Sequence, residues 1–396
     1  MVHGCVVVNV RSGSRASMLP VLTCCIGMVI CAVNRSVNPD WTQPETKRIC
    51  ISQEGTGYES DNGWVASRCD EGMVQFVLNA FEGESSSDAV TSLSEDVMSC
   101  LSWMLQHTAE DTNARREAMI RAIEADARAL RLSGAVDRWF GDADKSIRAI
   151  TEGVNGPLFD TLLRAAEHED LECTDLFKHG AQLLGKLPVT GNGRQENKKQ
   201  HESISALHET CGASNRDILA RLKEDLEHSD EVFRLTCVDS ELQRMTPLQP
   251  CSDIDMDTVR ISQRFAVAQG VKEDGSPKVR CVDSCTESGI NPCTEGVEHL
   301  SPDGLDKLFE IMRWMWCYMN MVPQLLKIDI DSAFRRVPIR PDHRWAAYVG
   351  FVHRGTTCLA GHLSMPFGAA SSVFAWDRVG AAITKIARVT LKIPLL

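Results

Sequence analysis

Asp329 is the residue of this chain whose position most strongly indicates chemistry. It follows the run Leu325-Leu326-Lys327-Ile328 and is flanked by two isoleucines, the second being Ile330. A carboxylate in apolar surroundings is costly unless a cation or a hydrogen-bond donor pairs with it. Residues 325–330 predict a buried strand that ends at a turn into a helix, and α/β proteins commonly place reactive groups at such strand ends. Magnesium held by one or two carboxylates together with substrate phosphates would explain the carboxylate.

Two basic side chains belong to the second strand of a predicted hairpin. Residues 264–267 favour a first strand, Asp274-Gly275-Ser276 is typical of a tight turn, and residues 278–283 favour the returning strand. Lys278 and Arg280 would then project from a two-stranded ribbon, which suits a flexible finger that folds over a triphosphate. An edge hairpin with solvated basic side chains explains these residues equally well.

A Pro-Phe-Gly tripeptide precedes the last long helix. Residues 345–353 and 358–363 predict two strands joined at Gly355, and residues 369–386 predict a helix with an apolar stripe. Pro366-Phe367-Gly368 lies between the second strand and the helix. Small residues from Gly368 to Ser372 would let a backbone or a base approach closely. Taken by itself, the tripeptide is better explained as an ordinary turn.

In order and spacing, these three segments resemble the reverse transcriptase family of retroelements over roughly residues 257–396. Lys278-Val279-Arg280 resembles the fingers motif whose arginine holds the incoming triphosphate. Asp329 with Ala333-Phe334 resembles the palm motif that carries the first catalytic aspartate. Residues 365–368, with Arg378 ten residues after the glycine, resemble the next palm motif.

The resemblance implies a role for each of these residues. Asp329 would be catalytic and would bind Mg²⁺ together with the main-chain carbonyl of Ile330. The substrate-binding residues would be Lys278, Arg280, Phe334, Phe367 and Gly368, with Phe334 excluding a ribose 2′-hydroxyl. The partners would be an RNA or DNA template-primer and deoxynucleoside triphosphates. From the residues themselves, an aromatic at the start of a helix is equally typical of core packing, so Phe334 keeps both interpretations.

The resemblance is incomplete after Gly368. The family's third palm motif, an aromatic-x-Asp-Asp hairpin, supplies further metal-binding carboxylates, and it does not follow in this sequence. Residues 390–396 are instead typical of the strand that approaches such a hairpin. Two-metal phosphoryl transfer needs carboxylates on both sides of the metals. We therefore expect a fragment of an RNA-directed DNA polymerase, a nucleotidyltransferase of a retrotransposon, that is truncated at its C-terminus and inactive by itself.

The elements upstream of these motifs are predicted to be mainly helical. Apolar residues recur at three- and four-residue intervals between residues 101 and 187 and again between 204 and 245, and Gly134 stands where one helix should stop. The predicted division is an irregular N-terminal extension over 1–94, a helical region over 95–190, a linker and helical segment over 191–256, and the fingers and partial palm over 257–396. The expected fold class is α+β, with an acidic helical region before the polymerase-like part.

Charge is distributed unevenly along the chain. The formal net charge is −12, but residues 327–396 contain ten Lys or Arg against four acids. A basic segment joined to an acidic remainder fits a polymerase part that binds polyphosphates. Two alternatives are a non-catalytic nucleic-acid-binding protein that uses this basic segment, and an interaction protein built on the acidic helical region with a vestigial polymerase segment.

Cysteine spacing and the N-terminus bear on metal binding and location. The 16 cysteines show no paired C-x-x-C spacing, so we expect reduced thiols and no structural zinc. The apolar run over residues 18–33 is short for a membrane span and about right for a signal-peptide core. Because the downstream motifs are typical of an intracellular enzyme, we expect an N-terminal extension rather than an export signal, a cytoplasmic or nuclear location, and no membrane association.

Overall fold

The computed structural model describes the strand Cys5–Asn9 and residues 93–196, 202–271, 275, 277–300, 302–319, 324–328, 330 and 332–396. Over these residues the chain has a mixed α+β architecture, as expected from the sequence. The apolar run over 18–33, most of the expected N-terminal extension, and Asp329 lie outside the described residues.

A four-stranded sheet carries the predicted hairpin. β4 (Ile261–Val271) and β5 (Pro277–Asp283) are antiparallel, and β9 (Tyr348–His353) pairs antiparallel with β10 (Thr356–Gly361). The strand order is β10-β9-β4-β5, with β4 and β9 parallel. Both predicted strand-turn-strand units are confirmed. The first residues of β4 are buried and the last five are exposed, so the hairpin projects from the body of the protein into solvent.

Shorter strand pairs tie distant segments together. β1 (Cys5–Asn9) is antiparallel to β8 (Gln324–Ile328), so the strand expected before Asp329 is present through Ile328. The partner strand, β1, lies within residues 1–94, which were expected to be irregular. β2 (Gly185–Lys186) is parallel to β6 (Thr294–Glu295), and β3 (Arg194–Gln195) is antiparallel to β7 (Glu298–His299).

Helices occupy most of the remaining described residues. Those upstream of the sheet are α1 (Glu95–Gln106), α2 (Ala109–Leu132), α3 (Ala135–Phe140), α4 (Lys145–Ile150), α5 (Gly156–Ala165), α6 (Asp175–Lys178), α7 (Ile204–Glu209), α8 (Cys211–Arg221) and α9 (Ser229–Glu241). α10 (Leu305–Met319) and α11 (Ala370–Leu391) follow. None of the helices in the described ranges combines the length and the apolar character that a membrane span requires.

α2 shows how the sequence determines where a helix begins and ends and which of its faces is buried. The hydroxyl of Thr108 accepts a hydrogen bond from the amide of Asp111 at 3.1 Å and so caps the first turn. Ile120, Ile123 and Ala127 are buried on one stripe. Gly134 adopts φ +69° directly after the helix, a conformation that glycine reaches at no steric cost, and the predicted stop is confirmed.

The last residues of the chain differ from the expectation. A strand was predicted over residues 390–396, but α11 continues to Leu391 and is ended by Lys392 in the left-handed conformation. The buried guanidinium of Arg116 donates to the carbonyls of Leu391, at 2.9 Å, and Lys392, at 2.6 Å. A cation at the carboxyl end of a helix stabilises the helix dipole. The expectation of a strand was therefore wrong because a residue 275 positions upstream caps the longer helix.

One hydrophobic core joins the helical region to the C-terminal part. It contains Phe159, Leu163 and Phe177 from the first and Val337, Trp376 and Ile383 from the second. Ion pairs cross the same boundary, among them Arg344–Asp144, Arg378–Asp170 and Lys385–Asp96. Seven of the ten basic residues in 327–396 pair with carboxylates: Arg335, Arg340, Arg344, Arg354, Arg378, Lys385 and Arg388. Much of the positive charge of this segment is therefore paired with carboxylates of the same chain, with Arg340 and Arg354 paired at the surface.

Candidate functional site

Side chains from three separate segments meet at one edge of the sheet. Arg280 comes from β5, Phe334 from the 3-10 turn Ala333–Arg336, and Phe367 from the turn before α11. The guanidinium carbon of Arg280 lies 4.9 Å from the centroid of the Phe367 ring. The rings of Phe334 and Phe367 have centroids 5.3 Å apart and are inclined at 57°. Both geometries are attractive, so these three residues named from the sequence form one cluster.

The Phe367-Gly368 turn is held by hydrogen bonds from its main chain to β5 and to the side chain of Asn291 in the loop that follows β5. The amide of Asp283 donates to the carbonyl of Phe367 at 3.0 Å. The side-chain amide of Asn291 donates to the carbonyl of Gly368 at 3.0 Å, and its oxygen accepts from the amide of Ala370 at 2.8 Å. Gly368 has φ +110°, and an added Cβ would overlap the carbonyl oxygen of Asp283. Glycine is therefore required at this position.

A buried network of charged side chains lies beneath the cluster. Arg264 donates to both carboxylate oxygens of Asp283, at 2.8 and 3.2 Å. Arg335 donates to Asp239 at 2.9 Å and to Nδ1 of His362 at 2.6 Å. Nε2 of His362 lies 2.8 Å from Asp283. With His362 neutral, two cations face two anions, so the burial of these charges is compensated.

The network favours one protonation state for its histidine. Burial lowers the pKa of His362 to about 4, and the neighbouring Arg335 cation acts in the same direction. Burial by itself would raise the pKa of Asp283, but Arg264 and His362 hold it well below its usual range. With the ring proton on Nε2, His362 accepts from Arg335 at Nδ1 and donates to Asp283, and the guanidinium of Arg264, which lies 3.0 Å from the same Nε2, donates to Asp283 instead. The residues next to the cluster are thereby held in one arrangement.

The outer face of the hairpin adds apolar surface beside Arg280. Val267 is directly opposite Arg280 and Phe265 is opposite Val282, so these four side chains share one face of the ribbon. Phe265 and Val267 are exposed to 38% and 37%. A guanidinium with donors in a fork, next to aromatic and apolar faces, can bind a phosphate and a planar ring together.

Other residues named from the sequence are placed differently. Lys278 is exposed on the hairpin, and Gly368 is exposed in the turn before α11. Ile330 is buried. Arg378 is not part of the cluster. Its guanidinium donates twice to the buried Asp170, at 2.6 and 2.9 Å. This arginine joins α11 to the helical region.

The expected magnesium site is incomplete within the described residues. Asp329, its principal ligand, lies outside them, and Ile330 could contribute only a main-chain carbonyl. No group of three His, Cys, Asp or Glu side chains able to hold a metal ion occurs in the described ranges. Cys281, Cys285 and Cys293 are free thiols. The described residues therefore do not form a metal site by themselves.

Sequence reasoning missed the supporting residues. Asn291, His362, Arg264 and Asp239 carry no local signal, because each is a single polar residue in an unremarkable stretch. Asp283 was noticed as the end of a strand and was assigned no role. Its carboxylate contacts Arg264 and His362, and its main-chain amide donates to the Phe367 carbonyl. These contacts are set by the tertiary structure.

Comparison with known proteins adds no relative. No protein-family model matches the sequence, no curated protein matches it, and no solved structure matches the fold. The function of the cluster is accordingly proposed from its geometry together with the sequence motifs that contribute its residues.

Proposed function

We propose that residues 257–396 are the fingers and first part of the palm of a reverse-transcriptase-like polymerase, and that the cluster binds a deoxynucleoside triphosphate beside a template-primer. The observation that carries the proposal is the contact of Arg280 with Phe367 and of Phe367 with Phe334. These residues come from three motifs that are separated by 33 to 87 positions in the sequence. Local structure does not require such motifs to meet, and a shared ligand gives a reason for them to do so.

Each group has a chemically suitable role in the proposed complex. Arg280 would donate to the phosphates in a bidentate manner. Phe334 would lie beneath the sugar, and Phe367 with the exposed Gly368 would contact the nucleotide. Lys278, exposed on the same hairpin, would add positive charge near the phosphates. In the reaction class proposed, the primer 3′-oxygen forms a bond to the α-phosphorus as the bond to pyrophosphate breaks.

Core packing remains an alternative interpretation of Phe334. The side chain is half-buried and also packs against the main hydrophobic core. Magnesium stays part of the proposal through Asp329 and the carbonyl of Ile330, and when bound it would neutralise charge on the phosphates.

The ion pairs limit the way in which nucleic acid can be bound. Because seven of the ten cations in residues 327–396 pair with carboxylates of the same chain, a phosphate would have to compete with those carboxylates for them. The logarithm of the affinity falls with the logarithm of salt concentration in proportion to the number of phosphates neutralised. The proposal therefore implies a shallow salt dependence, and specific contacts rather than a general basic surface.

The test is nucleotide affinity measured by calorimetry on the full chain. Charge-assisted hydrogen bonds contribute about 1.5–3 kcal/mol, so Arg280→Ala should weaken binding by about 10- to 100-fold. Arg280→Lys keeps the positive charge and loses the planar fork of donors. Its nucleotide affinity should therefore lie between that of wild type and that of Arg280→Ala. Arg128→Ala is the matched control, since Arg128 is exposed on α2 with only a 4.0 Å contact to Glu124.

Two results would contradict the proposal. One is wild-type protein that shows no affinity for any deoxynucleoside triphosphate. The other is an equal loss in Arg280→Ala and Arg128→Ala, which would indicate attraction to positive charge in general. Melting curves of each variant would show that affinity rather than folding has changed, because loss of the Arg280–Phe367 contact should cost only about 0.5–1 kcal/mol.

A further inference from the structure

The last helix of the described chain begins without a cap of its own. α11 starts at Ala370, and the residue before it, Ala369, has no side chain that could accept a hydrogen bond from the first turn. The first amides of a helix have no partner inside the helix, and a polar side chain at the preceding position normally satisfies one of them. An acceptor for this end of α11 therefore has to come from elsewhere.

Asn291 provides that acceptor from 79 residues away. Its side-chain oxygen accepts from the amide of Ala370 at 2.8 Å, and its side-chain amide donates to the carbonyl of Gly368 at 3.0 Å. A carboxamide is the side-chain group that offers an acceptor and two donors without a charge. One side chain thus fixes both the turn and the start of the helix.

The loop that presents Asn291 is itself held in place. The main-chain amide of Asn291 donates to the carbonyl of Cys285 at 2.9 Å, and its carbonyl accepts from the amide of Thr294 at 3.1 Å. Its side-chain amide also donates to the hydroxyl of Thr286 at 2.9 Å. Cys285 and Ile290 are buried in the main hydrophobic core. The carboxamide is therefore supported by the fold before any ligand binds, as residues that support a binding site need to be.

The turn that Asn291 holds carries the central side chain of the cluster. Phe367 directly precedes Gly368, and its ring contacts both the guanidinium of Arg280 and the ring of Phe334. The carbonyl of Phe367 accepts from the amide of Asp283 in β5 at 3.0 Å. The turn is thus held by β5 on one side of Gly368 and by Asn291 on the other.

We propose that Asn291 is a positioning residue of the nucleotide site, which places Phe367 against Arg280 through the main chain of the turn and does not act on the nucleotide directly. This inference rests on the proposed function of the cluster. An apparent affinity falls with the fraction of molecules in the binding-competent arrangement. Without Asn291 the turn leaves its position part of the time, so fewer molecules present Arg280 and Phe367 together.

The experiment follows the Phe367 ring and the nucleotide affinity in the same variants of the full chain. Protein labelled with para-fluorophenylalanine gives fluorine resonances in NMR, and that of Phe367 is identified by its absence in Phe367→Leu. Asn291→Ala should shift or broaden this resonance in nucleotide-free protein. It should also weaken the binding of deoxynucleoside triphosphates, each titrated separately by calorimetry, by about two- to tenfold, the factor that corresponds to one neutral hydrogen bond.

Asn155→Ala is the matched control, because Asn155 performs the same two tasks at another helix. Its side-chain oxygen accepts from the amide of Leu158 at 3.2 Å in the first turn of α5, and its side-chain amide donates to the carbonyl of Ala127 at 3.1 Å. Asn155 is buried and lies outside the cluster. Asn155→Ala should lower the melting temperature at least as much as Asn291→Ala does. It should leave the Phe367 resonance and the nucleotide affinity unchanged, which separates positioning from general destabilisation.

A double variant tests whether Asn291 acts through Phe367. In the Phe367→Ala background, Asn291→Ala should have little further effect on nucleotide affinity, because the ring that Asn291 places is already absent. Additive losses would overturn the proposal, since Asn291 would then act by another route. An unchanged Phe367 resonance in Asn291→Ala, or an equal change in Asn155→Ala, would overturn it as well. Wild type without affinity for any deoxynucleoside triphosphate would contradict the proposed function instead, and the fluorine spectra would still decide whether Asn291 places Phe367.

Discussion

Gly368→Ala tests whether the turn that carries Phe367 is held as tightly as its contacts indicate. Glycine has φ +110° here, outside the region that an alanine adopts without strain. The new methyl group would also overlap the carbonyl oxygen of Asp283, which is main chain and belongs to a strand of the sheet. The overlap therefore cannot be relieved by rotating a flexible side chain. The turn must move away from β5.

The expected cost has two parts. Backbone strain at such a φ is about 1–3 kcal/mol. Moving the turn breaks the hydrogen bond from the Asp283 amide to Phe367 and the one from Asn291 to Gly368, each about 0.5–1.5 kcal/mol. Together they predict destabilisation by about 2–6 kcal/mol, if both bonds are lost. If the cluster binds nucleotide as proposed, Gly368→Ala should weaken nucleotide affinity as well.

Two other glycines serve as controls. Gly355 has φ +71° with nothing within 4 Å of an added Cβ, so Gly355→Ala carries strain without overlap and should cost about 1–2 kcal/mol. Gly380 lies inside α11 with open space around it, and Gly380→Ala should stabilise by about 0.5–1 kcal/mol. The order of stability should therefore be Gly380→Ala, wild type, Gly355→Ala and Gly368→Ala.

The assay is urea denaturation combined with amide hydrogen exchange of the peptide that contains Asp283. The amide of Asp283 should lose protection in Gly368→Ala and keep it in Gly355→Ala, because its acceptor is the Phe367 carbonyl. The reasoning is refuted if Gly368→Ala is no less stable than Gly355→Ala, or if the Asp283 amide stays protected.

Two further predictions concern the buried charges. His362 has a folded-state pKa of about 4 against 6.5 in an unfolded chain, so its contribution is present above pH 6.5 and is lost as the pH falls towards 4. The free energy of unfolding of wild type, measured by denaturation at several pH values, should fall by on the order of 3 kcal/mol more over that window than the free energy of unfolding of His362→Gln. If the two plots of unfolding free energy against pH were parallel, His362 would have an ordinary pKa in the folded protein. Asp170→Asn and Arg378→Met should each destabilise by about 3–5 kcal/mol, since each leaves a buried partner uncompensated. The double variant should cost less than the sum, and strict additivity in the denaturation free energies would show that the pair is not coupled.

Much of the secondary structure could be predicted from the sequence because its signals are local. The hairpin of β4 and β5 is marked by a turn sequence between two β-favouring stretches, and α2 is marked by a cap, an apolar stripe and Gly134. The segment after Leu391 could not be predicted in this way. Its strand-like composition is overruled by Arg116, which caps the helix from a distant part of the chain.

The sequence by itself determined the strand, turn and helix patterns in which Arg280, Phe334, Phe367 and Gly368 stand, and the resemblance of these patterns to the motifs of one family made the four residues candidates for one site. Only the tertiary structure decided that Arg280, Phe334 and Phe367 are neighbours, and that Arg378 is held by Asp170, 208 residues away. The physical reason is that a charge or a polar group in a sequence does not specify its partner. Burial decides which pairs must form, and burial is a property of the whole fold.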